Sequence, residues 1–374
     1  MSGIYIHIPF CRQACHYCDF HFSTSLRNKK EFLAGLKTEI ALQKNYFADG
    51  VNTIYFGGGT PSVLSKDEIR DIFNELSKHF SIKADAEITL EANPEDLSRE
   101  KLKELSQTPV NRLSIGIQSF SDWDLKFLNR IHSANDAIDS VVNAQAVGFK
   151  NISIDLIYGI QTLTNEQWKK NLDIAFKMNV PHISCYSLTV EPKTILDSFI
   201  RKGKIKNVDS EKSAEQFGVL MDEMQKNNFI QYEISNFCKD GFYSKHNSNY
   251  WKGVKYLGLG PAAHSYNGES RQWNVKSNAA YINSIQKNKI QFEVELLTDE
   301  QKYNEYILTS LRTIWGADIK SVEERFSSEI NSHFSSSSLM AQKNNFLKRV
   351  DGKLFLTTKG KLFADKIASD LFVV

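Results

Sequence analysis

Three cysteines near the start of the chain carry the clearest chemical signal in the sequence. Cys11, Cys15 and Cys18 follow an apolar run with the spacing C-x-x-x-C-x-x-C. A structural zinc site uses four protein ligands, so three thiolates alone leave one position of a metal centre open. A four-iron cluster held by three cysteines has one iron free to bind a small molecule. A zinc site completed by His16 or His21 is the alternative that stays open.

Composition narrows the classes of protein to consider. The 374 residues predict about two or three domains. Charged residues make up 24% of the chain, hydrophobic residues 41%, and the net charge is +2, which argues against a strongly basic nucleic-acid binder. No leader pattern and no apolar run of about 18 residues occurs, so we expect a cytoplasmic protein. Cys185 and Cys238 are isolated in sequence, which favours reduced thiols over a disulfide framework.

The first half of the chain alternates β-rich runs with amphipathic helical runs, a pattern that predicts βαβ units and a parallel sheet. We predict an α/β fold of six such units that form a curved, partial (β/α)6 TIM-like barrel. The predicted strands are 3–8, 52–56, 86–90, 112–116, 151–157 and 183–188. The predicted helices between them are 29–47, 66–79, 99–106, 134–147 and 165–178.

Unusual residues follow the predicted strands, and barrels of this type place their sites at the carboxyl ends of strands. The second strand ends in Gly-Gly-Gly-Thr-Pro-Ser at 57–62, where glycines allow a ligand to approach backbone amides closely. Glu91 and Asp155 are candidates to bind an ammonium group or ribose hydroxyls. Gln118 and Thr189 mark two further strand ends. Each feature alone also fits a turn or a helix cap, but their placement on one rim favours a binding site.

Longer motifs resemble the radical S-adenosylmethionine superfamily. The resemblance rests on Tyr-Ile-His-Ile-Pro-Phe-Cys at 5–11, on the cysteine spacing with Tyr17 between the last two thiols, and on 57–62. Segments 114–120, 128–130 and 155–159 extend it towards the coproporphyrinogen dehydrogenase branch. The resemblance covers nearly the whole chain.

The resemblance implies a [4Fe-4S] cluster on Cys11, Cys15 and Cys18, with S-adenosylmethionine chelating the open iron and serving as a radical source. It places the following residues at that cofactor: Tyr5, Tyr17, Gly58, Gly59, Thr60 and Glu91. Other residues match positions that line a second S-adenosylmethionine in the dehydrogenase: Gln118, Arg130, Asp155 and Thr189. Whether one or two molecules bind stays open at this stage.

Two departures separate the chain from the dehydrogenase branch. The first predicted strand begins at residue 3, where the dehydrogenase has a long N-terminal extension, and Phe20 occupies the position of a further cysteine. The chain is more similar to HemW-type heme chaperones, which bind heme and pass it to acceptor proteins. His246 opens their H-N-x-x-Y-W motif and Tyr250 and Trp251 close it. The resemblance makes His246 a candidate heme ligand, whereas residue chemistry alone favours a hydrogen-bonded core histidine.

We divide the chain into a radical SAM partial barrel at 1–215, a barrel-closing extension with the H-N-x-x-Y-W motif at 216–295, and a HemN-like helical, winged-helix-like domain at 296–374. The last region has helical spacing around 303–311, a serine run at 335–338 that predicts a loop, half a hairpin at 353–357 and a closing helix at 358–372. Its basic cluster is too weak to indicate a DNA reader, so we expect it to pack on the barrel mouth.

Three functions follow from these patterns. The preferred one is a heme chaperone that binds a [4Fe-4S] cluster, S-adenosylmethionine and heme and passes heme to acceptor proteins, without coproporphyrinogen dehydrogenase activity. The alternatives are an oxygen-independent coproporphyrinogen III dehydrogenase and a zinc-stabilised binding protein. We expect no nucleic-acid partner, an electron donor that the sequence does not identify, and peripheral contact with a membrane.

Overall fold

The computed structural model describes residues 1–373, and its main feature is one sheet of twelve strands. Six parallel strands follow one another in chain order at its centre: β1 (Ser2–Ile8), β2 (Val51–Gly58), β3 (Ile82–Ala92), β4 (Arg112–Gln118), β5 (Asn151–Tyr158) and β6 (His182–Ser187). All six predicted strands are present, so the prediction of an α/β fold with a parallel, incomplete barrel is confirmed. The sheet is open, with β12 and β7 as its two ends.

Helices follow the parallel strands along the chain: α1 (Lys29–Leu42), α2 (Lys66–His79), α3 (Arg99–Leu105), α4 (Asp122–Phe127), α5 (Ala134–Ala146) and α6 (Asn165–Lys177) lie between them, and α7 (Ile195–Arg201) and α8 (Ser210–Lys226) come after β6. Local sequence signals determine where several of these helices begin. Ser65 and Glu68 form a capping box on α2, and Ser133 and Asp136 form another on α5. The six-residue helix α4 was not predicted, because it is too short to show helical periodicity.

The region after α8 extends both edges of the sheet. Its elements are β7 (Ile230–Glu233), β8 (Asn236–Cys238), α9 (Lys245–Trp251), β9 (Tyr256–Leu259), β10 (His264–Tyr266), β11 (Ser270–Asn274), α10 (Asn278–Ile285) and β12 (Phe292–Leu296). The β7–β8 pair joins β6, while β9 lies parallel to β1 and leads through β10 and β11 to β12. The two extensions grow from opposite edges of the sheet, and their end strands β12 and β7 do not pair with each other. The barrel-closing role of 216–295 stays a prediction.

The C-terminal region is helical and contains a three-stranded sheet. Its elements are α11 (Asp299–Leu311), β13 (Ala317–Asp318), α12 (Ile319–Arg325), α13 (Ser328–Lys343), β14 (Leu347–Val350), β15 (Lys353–Leu356), α14 (Thr358–Lys361) and α15 (Ala364–Asp370). The predicted hairpin is present as β14–β15. The predicted serine loop was wrong, because 335–338 lie inside α13, where Phe334 and Ser338 are buried and the Ser338 hydroxyl donates to the Ser335 carbonyl. The predicted closing helix is divided into α14 and α15.

The strands of the barrel separate apolar and polar side chains onto opposite faces. In β1, Ile4, Ile6 and Ile8 are fully buried in the main hydrophobic core with the covering helices. The alternate residues of the parallel strands face the concave side, where polar groups are common. Side chains of a strand alternate between the two faces of a sheet, so the core and the polar interior come from the same segments. Within residues 1–373, no helix has the length and apolar content needed to cross a bilayer.

A buried carboxylate on α1 fastens the β9–β12 extension to the barrel. Glu39 is fully buried and accepts hydrogen bonds from the Gly260 amide, the Asn274 side chain and the Tyr281 hydroxyl. Burial raises the pKa of Glu39, while the three donors act against that shift. One carboxylate therefore satisfies donors from the loop after β9, from β11 and from α10.

Replacing Glu39 with alanine is expected to lower the free energy of unfolding by about 3 kcal/mol, because it leaves three buried donors without an acceptor. Chemical unfolding followed by circular dichroism measures the change. Glu31→Ala on the exposed start of the same helix is the matched control and is expected to cost about 0.5 kcal/mol. Equal effects of the two substitutions would contradict this role of Glu39.

Candidate functional site

A cavity of about 450 Å³ lies at the carboxyl ends of the parallel strands and reaches into the concave face of the sheet. It brings together residues that lie far apart in sequence, as expected for a site at one rim of parallel strands. Most of the predicted site residues line it: Cys11, Cys15, Tyr17, Cys18, Gly58, Gly59, Thr60, Glu91, Gln118, Arg130, Asp155 and Thr189. The two predicted residues outside its lining are Tyr5 and His246.

The three clustered cysteines lie at the mouth of this cavity. The Thr60 hydroxyl donates to Cys11 Sγ at 3.4 Å, and Arg130 Nη1 donates to Cys15 Sγ at 3.5 Å. Burial raises the pKa of Cys11 to about 11 and that of Cys18 to about 12. Metal ligands of this type bind as thiolates, so loading a metal here releases protons.

The two histidines that could complete a zinc site beside the cysteines are each hydrogen-bonded through one ring nitrogen. His16 Nδ1 is hydrogen-bonded to the Phe127 carbonyl at 2.9 Å, and His21 Nε2 to Asn278 Oδ1 at 2.7 Å. Across residues 1–373, no three histidine, cysteine or acidic side chains converge closely enough to hold one metal ion. A multi-iron cluster distributes its thiolates over several metal atoms, and a metal-bound histidine commonly donates its second ring nitrogen to an oxygen, so these contacts are compatible with either kind of site.

The glycine segment after β2 packs closely against β1 and the segment that follows it. Gly58 has a φ of +108°, and a Cβ added there would lie 2.6 Å from His7 Nδ1. A Cβ on Gly59 would lie 2.7 Å from the Phe10 carbonyl oxygen. The Tyr5 hydroxyl lies 3.2 Å from the same His7 nitrogen. Tyr5 therefore contacts His7, which packs against Gly58, and does not itself line the cavity.

The backbone amides of this segment are already used inside the protein. The amides of Gly58, Gly59 and Thr60 donate to Glu91 Oε2, to the Ile8 carbonyl and to the Phe10 carbonyl, at 3.2, 2.9 and 2.7 Å. The three residues still line the cavity, and the expectation that they contact a ligand stays a prediction. The glycines permit the close approach of two chain segments, which places the Thr60 side chain beside Cys11.

Two partly buried carboxylates, Glu91 and Asp155, also line the cavity. Glu91 Oε1 accepts from the Tyr55 hydroxyl at 2.7 Å, and burial raises the pKa of Glu91 to about 7. Asp155 lies 3.5 Å from the Ser114 hydroxyl, and burial raises its pKa to about 6. Carboxylates of this kind bind ammonium or hydroxyl groups well, because such donors replace the lost hydration.

Arg112 is a member of the site that sequence reasoning missed. It lines the cavity, is 1% exposed, and its Nε and Nη1 have no hydrogen-bond partner within residues 1–373. A buried guanidinium without acceptors is costly, so the position is suited to a ligand that brings an acceptor. The alternation of Arg112, Ser114 and Gly116 with the buried residues Leu113 and Ile115 was the signal for an inward-facing polar row.

Arg130 connects the cysteine segment to the strand ends. Its Nη2 donates to Asn93 Oδ1 at 2.7 Å and to the Gly116 carbonyl at 2.8 Å, while Nη1 reaches Cys15. Gln118, next to it on the cavity wall, has a φ of 68°. Left-handed backbone in a residue other than glycine is uncommon and is concentrated at functional sites.

His246 lies behind the cavity in the wall shared by β2 and α9. Its Nδ1 is hydrogen-bonded to Thr53 Oγ1 at 2.8 Å and its Nε2 to the Tyr250 hydroxyl at 2.9 Å. The ring stacks on Tyr55 at 5.0 Å between centroids. Burial lowers the pKa of His246 to about 3. Both ring nitrogens have partners, as in a hydrogen-bonded core histidine, and the role of His246 as an axial heme ligand stays a prediction.

A second cavity, of about 610 Å³, lies between the α9–β11 segment and the C-terminal region. Aromatic side chains form much of its wall: Tyr250, Trp251, Tyr256, Tyr266, Tyr306 and Trp315. Cationic side chains also line it: Lys252, Arg271, Lys302, Arg325 and Lys353. The indole nitrogen of Trp251 is buried and has no hydrogen-bond partner within the described part of the chain.

Comparison with known proteins agrees with the architecture. Family models for the Radical SAM superfamily and for the HemN C-terminal domain match residues 5–175 and 297–363. The chain is 34% identical to a heme chaperone HemW of Bacillus subtilis, over 98% of each chain. A Haemophilus influenzae relative with the same name is 36% identical, over 70% of this chain and 69% of its own. The chain belongs to the HemW family.

The fold of this HemW family member also matches a solved structure. The coproporphyrinogen III oxidase HemN of Escherichia coli superimposes with a TM-score of 0.85, covering 100% of this chain and 90% of that chain at 22% sequence identity. At this identity the match concerns the fold. It confirms that the partial barrel and the helical C-terminal region form a known combination.

Replacing Arg112 with methionine is expected to raise the unfolding free energy of the ligand-free protein by about 1 kcal/mol, because removing a buried guanidinium without hydrogen-bond acceptors outweighs the loss of its attraction to Glu91 and Asp155. The same variant is expected to bind S-adenosylmethionine more weakly. Denaturant unfolding and calorimetric titration measure the two quantities. Arg99→Met, at an exposed position, is the control, with a change of about 0.5 kcal/mol or less. A loss of several kcal/mol in Arg112→Met would show that the guanidinium is satisfied without a ligand.

Glu91 is expected to make the ligand-free protein less stable as pH rises. Burial raises its pKa from 4.5 to about 7, so the folded state binds the proton more tightly than the unfolded state, and stability falls between about pH 5 and pH 8. Relative to the wild type, Glu91→Gln should gain on the order of 2 kcal/mol across this interval. Unfolding of both proteins at the two pH values measures the difference. An identical pH dependence would mean that Glu91 does not titrate in this range.

Proposed function

We propose that this protein is a heme chaperone that holds a [4Fe-4S] cluster on Cys11, Cys15 and Cys18, binds S-adenosylmethionine in the barrel cavity and passes heme to acceptor proteins. The observation that carries the proposal is the convergence of three thiols, two partly buried carboxylates and two arginines on one cavity in a chain of the HemW family. Relatives that share almost its whole length are named as heme chaperones.

Each cysteine neighbour has a role in this proposal. A cluster with one open iron supplies one-electron chemistry and a coordination point for a small molecule. Thr60 and Arg130 donate to the sulfurs of Cys11 and Cys15. Hydrogen bonds to ligating thiolates stabilise their charge and raise the reduction potential of such centres. The partly buried Tyr17 covers the same region and limits access of water.

The polar groups that line the cavity match the charges of S-adenosylmethionine. This molecule carries a sulfonium, an ammonium, a carboxylate and ribose hydroxyls, so it needs both acceptors and donors. Glu91 and Asp155 supply acceptors, while Arg112 and Arg130 supply cations. Because Glu91, Arg112 and Asp155 are fixed on β3, β4 and β5 and Arg130 is held by its hydrogen bonds, the cavity orients the ligand with little reorganisation.

The second cavity is our proposed heme site. Heme has a flat, apolar ring and two propionate carboxylates. Aromatic side chains that cover the ring and cations that pair with the propionates both favour its binding. Arg271 lies in this wall, where its guanidinium donates to the Glu305 carboxylate and, at 3.2 Å, to the Tyr256 hydroxyl, so a propionate would bind beside an existing ion pair or replace Glu305 in it. Tyr250 and Trp251 of the H-N-x-x-Y-W motif line the cavity, and His246 holds Tyr250 in place.

The dehydrogenase alternative has weaker support. Its structural representative is 22% identical to this chain, and Phe20 occupies the position where that branch has a further cysteine. Phe20 is 68% exposed at the cavity mouth. An exposed phenylalanine cannot ligate a metal, whereas it can contact an apolar ligand or a partner.

Anaerobically reconstituted protein is expected to contain about four irons per chain, because three cysteine ligands suit a cluster with an open iron. Cys11→Ala, Cys15→Ala and Cys18→Ala should each reduce the iron content to near zero. Cys185→Ala and Cys238→Ala, whose thiols are buried elsewhere, are the controls and should retain it. Elemental analysis measures the result, and stoichiometric zinc without iron would favour the zinc-stabilised protein.

Heme binding is expected to depend on the second cavity. Arg271→Gln and Trp251→Ala should each raise the heme Kd about tenfold or more, equal to about 1.4 kcal/mol. His246→Gln should leave the position of the Soret band unchanged, because the imidazole is not a ligand in this arrangement. Titration at one heme per chain measures both quantities. A shifted Soret band in His246→Gln, together with normal heme affinity in Trp251→Ala, would show that His246 is the heme ligand and would contradict the second cavity as the heme site.

A further inference from the structure

The strand at one end of the large sheet, β12, is exposed along its full length. Its sequence at 292–296 is Phe-Glu-Val-Glu-Leu, and all five residues are exposed. Phe292, Val294 and Leu296 are 45%, 58% and 78% exposed. Successive side chains alternate between the faces of a strand, so these three project to the same face and form an apolar row.

The same three residues direct their backbone groups away from the sheet. β12 pairs with β11 in an antiparallel register that sets Val294 opposite Gln272. In that register the Val275 amide donates to the Gln291 carbonyl and the Leu297 amide to the Glu269 carbonyl. Hydrogen-bonded pairs alternate along an antiparallel ladder, so Glu293 and Glu295 bond to β11. The amides and carbonyls of the apolar row therefore point outwards, at the end of the sheet.

Open backbone groups on an edge strand are a template for pairing with another strand. Natural edges are commonly shortened, bulged, covered or protected by lysine or proline. β12 is five residues long, and no bulge interrupts its pairing with β11. Its only charged residues are Glu293 and Glu295, which project to the opposite face from the apolar row. This combination is typical of strand addition, in which backbone bonds give affinity and alternate side chains give specificity.

Charge decides between the possible occupants. Antiparallel pairing of two copies of β12 would set Phe292 opposite Leu296 and Val294 opposite its own copy, but it would also set Glu293 opposite Glu295 twice. Like charges directly opposite each other destabilise a strand pair. A strand with lysine or arginine at these positions would instead form two opposite-charge pairs. Glu293 is available for such a pair, since it has no hydrogen-bond or salt-bridge partner within residues 1–373.

We propose that β12 is a docking edge for an extended segment of a partner protein in which apolar residues alternate with lysine or arginine. The segment adds as an antiparallel strand, with its apolar residues beside Phe292, Val294 and Leu296 and its basic residues beside Glu293 and Glu295. This inference does not depend on the cluster, on S-adenosylmethionine or on heme.

The test uses the full-length protein and three labelled peptides with charged, soluble ends. The basic peptide alternates valine and lysine over five positions, the acidic peptide alternates valine and glutamate, and the third has the composition of the basic peptide without alternation. Fluorescence anisotropy should give a Kd for the basic peptide at least about tenfold lower than for the other two. If the basic peptide and the peptide without alternation bind equally well, binding depends only on net charge, and the proposal is overturned.

Two variants locate the interaction. Val294→Pro removes an amide that points outwards, so it should block strand addition while keeping the β11 ladder, and Glu293→Lys/Glu295→Lys should reverse the preference between the basic and acidic peptides. Unfolding midpoints close to that of the wild type confirm that both variants fold. Unchanged peptide affinity in Val294→Pro would overturn the proposal. Sedimentation of the protein without peptide tests self-association. A dimer that Val294→Pro dissociates would show that β12 pairs with a second copy of the chain and would overturn the proposal.

Discussion

Buried charge on the concave side of the parallel sheet sets the requirements for the rest of this structure. Arg112 is buried and Glu91 and Asp155 are partly buried, and taking ionised groups out of water costs up to several kcal/mol each. The fold offsets this cost on the other face of the same strands. Residues such as Ile4 and Leu113 are fully buried there, and each such side chain contributes about 1.5–3 kcal/mol. One set of strands thus provides the core and positions the polar interior.

The two cavities share a wall made of a short series of contacts. On the side of the second cavity, the Tyr250 hydroxyl is bonded to His246 Nε2. The His246 ring stacks on Tyr55, whose hydroxyl donates to Glu91 in the barrel cavity. The H-N-x-x-Y-W motif is therefore part of the partition between the proposed heme site and the proposed S-adenosylmethionine site. A histidine with both nitrogens in use gives that partition a fixed geometry.

Much of the architecture could be predicted from sequence. Each βαβ unit shows the periodicity of a strand, then that of an amphipathic helix, and several of the helices begin with a capping signal. Site residues could be predicted where the residue type itself indicates the chemistry, as for the cysteines, Glu91 and Asp155. Arg112 was missed because parallel strands are expected to be apolar on both faces, so its inward-facing row was taken as part of a strand. His246 could not be oriented from sequence, since the seven-residue helix α9 has no clear periodicity and its direction depends on contacts with β2.

The second cavity and the exposed β12 strand were beyond sequence reasoning for a related reason. Both are products of how the 216–295 region joins the sheet, with β9 beside β1 and β12 left at the end. Long-range pairing of this kind is not encoded in local periodicity. The alternation of apolar and acidic residues at 292–296 does predict a strand, but only the observed register shows which backbone groups remain open.

Mössbauer spectroscopy of protein reconstituted with ⁵⁷Fe, recorded with and without S-adenosylmethionine, tests the central claim most directly. The claim is that three cysteines hold a cluster whose open iron faces a ligand cavity. We predict that about one quarter of the iron signal changes its isomer shift and quadrupole splitting when S-adenosylmethionine is added, and that Arg112→Met requires more ligand for the same change. Spectra that are identical with and without S-adenosylmethionine at saturating concentration would contradict the account.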